Sequence, residues 1–262
     1  MHRGLSVADN GAFCYEQPLN ERIRTFLRLE HLIARLRHHE ADESPWGRRA
    51  TLDALIDILN VMSRYDTRAE VSKELGSRYA AFEKLADRDD VDERALKQVL
   101  SELDTLGRAM QTMPPQFASY QLRDNELLNS LNNRSPIAGG DCGFDLPAFQ
   151  HWLSQKNADQ ARDLKAWAGH IQPFEQAIGM LLRLLRESTS PALHTAKKGV
   201  LVHNMDTSTQ LIRVLLDDAR VFPEISAGRH RATVRFVEVQ DKKLRVRQFP
   251  SNVEFRMACC RF

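Results

Sequence analysis

The chain has 262 residues, 42% of them hydrophobic and 27% charged, a composition ordinary for a globular protein and long enough for one large domain or two modest ones. No window approaches the ~18 uninterrupted apolar residues that would span a membrane, and the N-terminal MHRGLSVADNGAFCYEQ has no apolar core of a secretory signal, so a cytoplasmic location is expected. The net charge of +2 is unevenly spread: residues 191–262 carry 13 Lys and Arg against 7 Asp and Glu, residues 1–190 carry 24 against 28, and the basic excess points to an anionic partner.

In chain order, AFCYEQP, near residues 11–17, predicts a strand joining a C-terminal sheet. NERIRTFLRLEHLIARLRHH then places Ile23, Phe26, Leu27, Ile33 and Leu36 near one stripe. Asn20 is its N-cap, and His38 and His39 suit the dipole at its end. WGRRATLDALIDILNVMSR repeats the period with Leu52, Leu55, Ile56, Leu59 and Met62. Thr67 and Glu70 have capping-box spacing at the start of a third helix, with Val71, Leu75, Phe82 and Leu85. A fourth runs from about Asp92 to Met110 on Leu96, Val99, Leu100, Leu103 and Leu106, and Pro114-Pro115 ends it. One shorter helix is expected in RDNELLNSLNN. SPIAGGDCG reads as loop, and FDLPAFQHWLSQ restarts helix with Pro147 in its first turn. Two more helices follow, around Trp167 and in PFEQAIGMLLRLLRES.

After Pro191 the period changes. GVLVH, TQLIRVLL, RATVRFVEV, KLRVRQF and VEFRMACC are β-branched runs separated by the turn-like NMDTS, FPEISAG and QDKK. The fold class is therefore α+β: a mainly helical domain over 1–190, and a smaller, mostly antiparallel strand domain over 191–262.

No P-loop, dinucleotide fingerprint, zincin or nucleophile-elbow motif is present, so no catalytic residue, cofactor or metal site is expected. Cys14, Cys142, Cys259 and Cys260 form no C-x-x-C pair and read as reduced thiols. GRHRATVRFVEV is the informative stretch. In a strand, Arg229, Arg231 and Arg235 share one face, and Ala232, Val234 and Phe236 the other. Arg213, Arg245, Arg247 and Arg256 add to the basic chemistry, with Glu238 and Glu254 the main acidic counterweights. The arginine row reads as a solvated face, as a surface for an acidic peptide, or as a nucleic-acid surface. RNA-binding sheets expose aromatic rings, whereas Phe236 alternates away from the arginines.

YEQPLNERIRTFLRLEHL, GGDCGFDLPAFQHWL, FPEISAGRHRATVRF and the terminal EFRMACC, in this order and spacing, resemble the bacterial cell-division protein ZapD family across nearly the whole chain. The resemblance implies a homodimer with a helical and a β domain and no catalytic activity. It implies that the partner is the C-terminal tail of FtsZ, the tubulin-like division GTPase, whose filaments the dimer bundles at the mid-cell division ring. It also implies a basic tail pocket. The family's strand arginines match Arg231 and Arg235, a further one matches Arg64 in NVMSR, and Arg28 and Arg123 fall at basic positions of the pattern. The chain departs where the family often has Cys-Cys, with Asp141-Cys142, and at a family histidine, which matches Gln150 beside His151. A dimer contact is expected along the Leu-rich helices from Thr67 to Met110.

Overall fold

The computed structural model describes residues 12–64, 66–86, 88, 90–240 and 245–262. The N-terminal stretch before residue 12 and most of the QDKK turn lie outside these. The chain divides into two compact units: the residues through Thr25 together with Leu182–Phe262, and Phe26–Leu181.

The first unit holds eight strands among its described residues: β1 Phe13–Pro18, β2 Ala192–Ala196, β3 Val200–Asn204, β4 Thr209–Leu216, β5 Val221–Ala227, β6 Arg231–Val239, β7 Val246–Gln248 and β8 Val253–Arg261. Two antiparallel sheets result. One has the order β1-β4-β8-β2, the other β3-β6-β5, with β7 also paired to β6. Because side chains alternate along a strand, each sheet turns one apolar row inward. Ile212, Val214, Leu216, Phe255 and Met257 meet Ala232, Val234 and Phe236 in one core, with the Phe236 and Phe255 rings 4.8 Å apart. Truncating a ring buried this deeply costs about 3–5 kcal/mol.

Two strands exceed expectation. FPEISAG is largely β5, not a turn, and ALHTA is β2. Both lie on sheet edges, where Pro is tolerated. Pro223 sits opposite Phe236, whose own N–H and C=O bond Gly199 and Phe249 instead, so the missing proline N–H leaves no ladder position empty. Gly199 is required where it stands. Its φ is +75°, and a Cβ there would lie 2.3 Å from the Phe249 carbonyl oxygen. Lys198 also has positive φ, 49°, which makes the β2–β3 connection a tight two-residue turn.

The helices are α1 Glu21–His39, α2 Pro45–Arg64, α3 Thr67–Glu83, α4 Glu93–Thr112, α5 Phe117–Asp124, α6 Glu126–Arg134, α7 Pro147–Leu153, α8 Asn157–Ala168 and α9 Gln172–Glu187. The division between the units falls within α1 and α9. Asn20 caps α1, its Oδ1 accepting the Ile23 N–H at 2.9 Å. At α3 the cap is Asp66, which accepts from Ala69 N–H at 3.0 Å, while Thr67 is buried within the first turn. The Thr67–Glu70 spacing is thus one residue out of phase. RDNELLNSLNN contains a break rather than one helix: Asn125 ends α5 and caps α6 by accepting from Leu128 N–H at 3.0 Å. On α1, Leu29 is fully buried and Leu27 only partly, so the stripe is rotated from the expected one. The second unit's core takes Phe26, Leu29, Leu36, Leu52, Leu55, Ile58, Leu59 and Phe174 among others, all fully buried. No helix of the described residues is long and apolar enough to cross a membrane.

Candidate partner-binding surface

The outward face of the β3-β6-β5 sheet is built in rows by register. Val200, Arg235 and Glu224 form one row; Val202, Thr233 and Ser226 the next; Asn204 and Arg231 the last. Phe222 and Gln248 flank the Arg235 row on its other side, with Val237 between them fully buried. Arg231 and Arg235 are both exposed, about 13 Å apart along the strand at ~3.3 Å per residue. Their settings differ. Arg235 donates through Nε (3.0 Å) and Nη2 to Glu224. Arg231 has no ion pair among the described residues. The half-buried Phe222 puts an apolar ring on the arginine face, which reading FPEISAG as a turn had concealed.

Arg229 is not in the arginine row. The Gly228 N–H donates to the Arg231 carbonyl (2.9 Å), which closes the β5–β6 hairpin and leaves Arg229 and His230 in its turn. There Arg229 lines a cleft of about 510 Å³ with Asn20, Arg22, Ser208, Gln210 and Phe262. The remaining expected contributors are engaged. Arg213 lies on β4 in the other sheet and donates to Glu16 at 3.0 Å. Arg247 pairs with Glu238 at 2.6 Å, and Arg256 on β8 approaches Asp217 at 3.7 Å. Glu238 is a counterweight as expected, whereas Glu254 has no ion pair among the described residues; Glu16 and Glu224 take up the rest. Arg220 holds the half-buried Asp218 carboxyl down at about 2 through side-chain hydrogen bonds.

The second unit carries the other expected arginines. Arg28 is exposed on α1. Arg64, exposed in the last turn of α2, lines a cleft of about 350 Å³ with Asp66, Arg68, Gln116, Ser119 and Phe174. Gln116 adopts a left-handed conformation (φ 56°) and its side chain does not cap α5, whose first-turn residues Phe117, Ala118 and Ser119 line the same cleft as Arg64 and Arg68. A helix N-terminus carries partial positive charge and favours anions. Arg123 is not in this cleft: it pairs with Asp124 at 3.1 Å and lies 4.9 Å over the Tyr120 ring. Arg68 had no sequence signal, because α2 and α3 are separate helices and no single period joins it to Arg64. Of the departures, Asp141 pairs with Arg49 at 2.9 Å, and His151 is exposed.

Cys14, Cys259 and Cys260 are not poised for thiolate chemistry. Burial pushes Cys14 and Cys259 up and Cys260 to about 11, so all three are protonated at neutral pH. Among the described residues no three His, Cys, Asp or Glu side chains gather to hold a metal ion.

The sequence profile of ZapD, described as a cell division protein, matches residues 27–235. Proteins named cell division protein ZapD align over nearly their whole lengths. That of Chromobacterium violaceum is 33% identical over 95% of this chain and 99% of its own. That of Methylococcus capsulatus is 33% identical over 94% and 97%, and that of Ralstonia nicotianae 35% over 95% and 99%.

Proposed function

The chain belongs to the ZapD family of cell division proteins, and from that premise we propose that it is a non-catalytic adaptor for the C-terminal tail of FtsZ. As a homodimer in the cytoplasm it cross-links FtsZ filaments at the mid-cell division ring. The observation that carries this is the outward sheet face on which Arg231, without an ion pair among the described residues, and Arg235 stand beside the half-buried Phe222. Arg64, Arg229, Arg28 and Arg123 are further proposed contacts. Guanidinium forks bind carboxylates with two hydrogen bonds, and a neighbouring ring gives an apolar side chain somewhere to rest. Each exposed ion pair contributes only ~0–1 kcal/mol. Several of them with an apolar anchor reach roughly −8 kcal/mol, micromolar affinity. That suffices when two joined copies engage one polymer, because the second contact is intramolecular. The dimer contact is assigned to α3 and α4, which leave Phe82, Leu85, Val99 and Leu100 only half-buried toward the turn that joins them.

The test is the double reversal Arg231→Glu, Arg235→Glu, titrated against labelled FtsZ tail peptide. Binding should be lost, with helical content and melting nearly unchanged because both positions face solvent. Unchanged affinity overturns the assignment.

A further inference from the structure

The first turn of α2 carries Arg48, among the largest fully buried side chains of the protein at 2% exposed. It lines a cleft of about 730 Å³ in the helical unit, with Arg37, Glu40, Lys165, Gln172 and Glu175. The charges in this cleft are sorted unequally. Arg37 donates to Glu175 through Nε (3.1 Å) and Nη2 (2.6 Å) and to Glu40 through Nη1 (2.8 Å), so one guanidinium engages both carboxylates. Arg48 has only neutral acceptors: Gln160 Oε1 at 3.2 Å and the Glu40 carbonyl at 3.4 Å. The Gln160 amide cannot turn away, because its Nε2 donates to the carbonyls of Trp152, Leu153 and Gln155. Asp42, the acid preceding α2, is exposed and accepts the Ser44 N–H; hydrogen bonds from Ser44 hold its carboxyl down, and the His39 and Arg48 charges add to this behind them. Neither Arg48 nor Lys165 has an ion pair among the described residues.

A guanidinium withdrawn from water without an ion pair is held at a cost. A carboxylate entering the cleft offsets that cost and meets a donor fork whose geometry matches its own. The cleft volume falls within the roughly 300–1,000 Å³ of small-molecule sites. We propose that this cleft binds a small organic acid, with one carboxylate on Arg48 and a second anionic group reaching the exposed Lys165. The site shares no residue with the arginine face and does not depend on how that face is used.

The test measures binding of malonate and succinate to the full chain by calorimetry and by melting, against sodium chloride of equal ionic strength. Saturable one-to-one binding and a rise in melting beyond the chloride control are expected. Arg48→Met should abolish both responses while melting in chloride as high as the parent or higher, since an unpaired buried charge is removed. Lys165→Glu, at an exposed position, should leave melting in chloride unchanged and weaken dicarboxylate binding about tenfold or more through charge reversal. No response of the parent beyond chloride overturns the proposal. So does an Arg48→Met protein that still binds, or unaltered affinity in Lys165→Glu.

Discussion

Glu224 competes with any carboxylate that would bind Arg235, and removing its charge should therefore strengthen tail binding. The two side chains are 48% and 43% exposed, so solvent screens their attraction. An exposed pair of this kind is worth ~0–1 kcal/mol. A bound tail must displace Glu224 and recovers at most that amount when Glu224 is neutral, a gain of up to about fivefold in affinity. Glu224→Gln keeps the side-chain size and the edge-strand position. Anisotropy of labelled FtsZ tail peptide should show binding tightened about two- to fivefold, with folding stability within about 0.5 kcal/mol of the parent. In an Arg235→Gln background the gain should vanish, because the competition has no object. If Glu224→Gln weakens binding, or tightens it equally without Arg235, then Arg235 is not the contact.

Three further outcomes are expected. Glu16 accepts from Arg186 at 2.9 and 2.8 Å and from Arg213 at 3.0 Å, all partly buried. Glu16→Gln should thus cost about 2–3 kcal/mol in urea unfolding, and a loss within error of zero would show that the cluster is not cooperative. Burial, then the neighbouring His203, hold the His194 pKa below its ordinary 6.5. The unfolded chain takes up that proton first, so stability present above about pH 6.5 falls as pH drops through the depressed value. His194→Gln should flatten melting against pH in that window, and parallel curves would remove His194 from the account. Tail affinity should fall markedly from about 0.1 M to about 1 M salt, as the Debye length shrinks from ~10 to ~3 Å. A flat response would assign the binding to an apolar contact at Phe222 instead.

Helix identities were legible because long amphipathic repeats leave little choice of period, and the α+β order followed from the change of period after Pro191. Local errors share a cause: tertiary context outweighed a short signal. VFPEISA has Pro in its third position and reads as a turn until β6 is beside it, when the proline nitrogen proves to face away from the ladder. Asp66 and Thr67 are both good cap residues, and their order of use depends on Thr67 being buried. Arg229 kept the right parity for the arginine row. Parity cannot show where a hairpin closes, and this one closes at Gly228 and Arg231.

Counting arginines overstates the basic character of the strand unit, because pairing is decided by register. Glu16 and Glu224 lie directly opposite Arg213 and Arg235 on neighbouring strands. Both strand pairings were needed to see it, and neither acid is near its arginine in sequence. Arg220, Arg247, Arg256 and Arg261 likewise have acidic partners in Asp218, Glu238, Asp217 and Asp206. What remains without an ion pair among the described residues is Arg229 and Arg231, two residues apart at the turn-proximal end of β6. A diffuse basic surface would attract any polyanion. With these other arginines spread over both sheets and paired, Arg229 and Arg231 instead present a localised positive potential, and Arg231 shares its strand face with a guanidinium, Arg235, whose own partner can be displaced. Such an arrangement matches a short acidic segment better than an extended phosphate backbone, which needs many cations spread along its length.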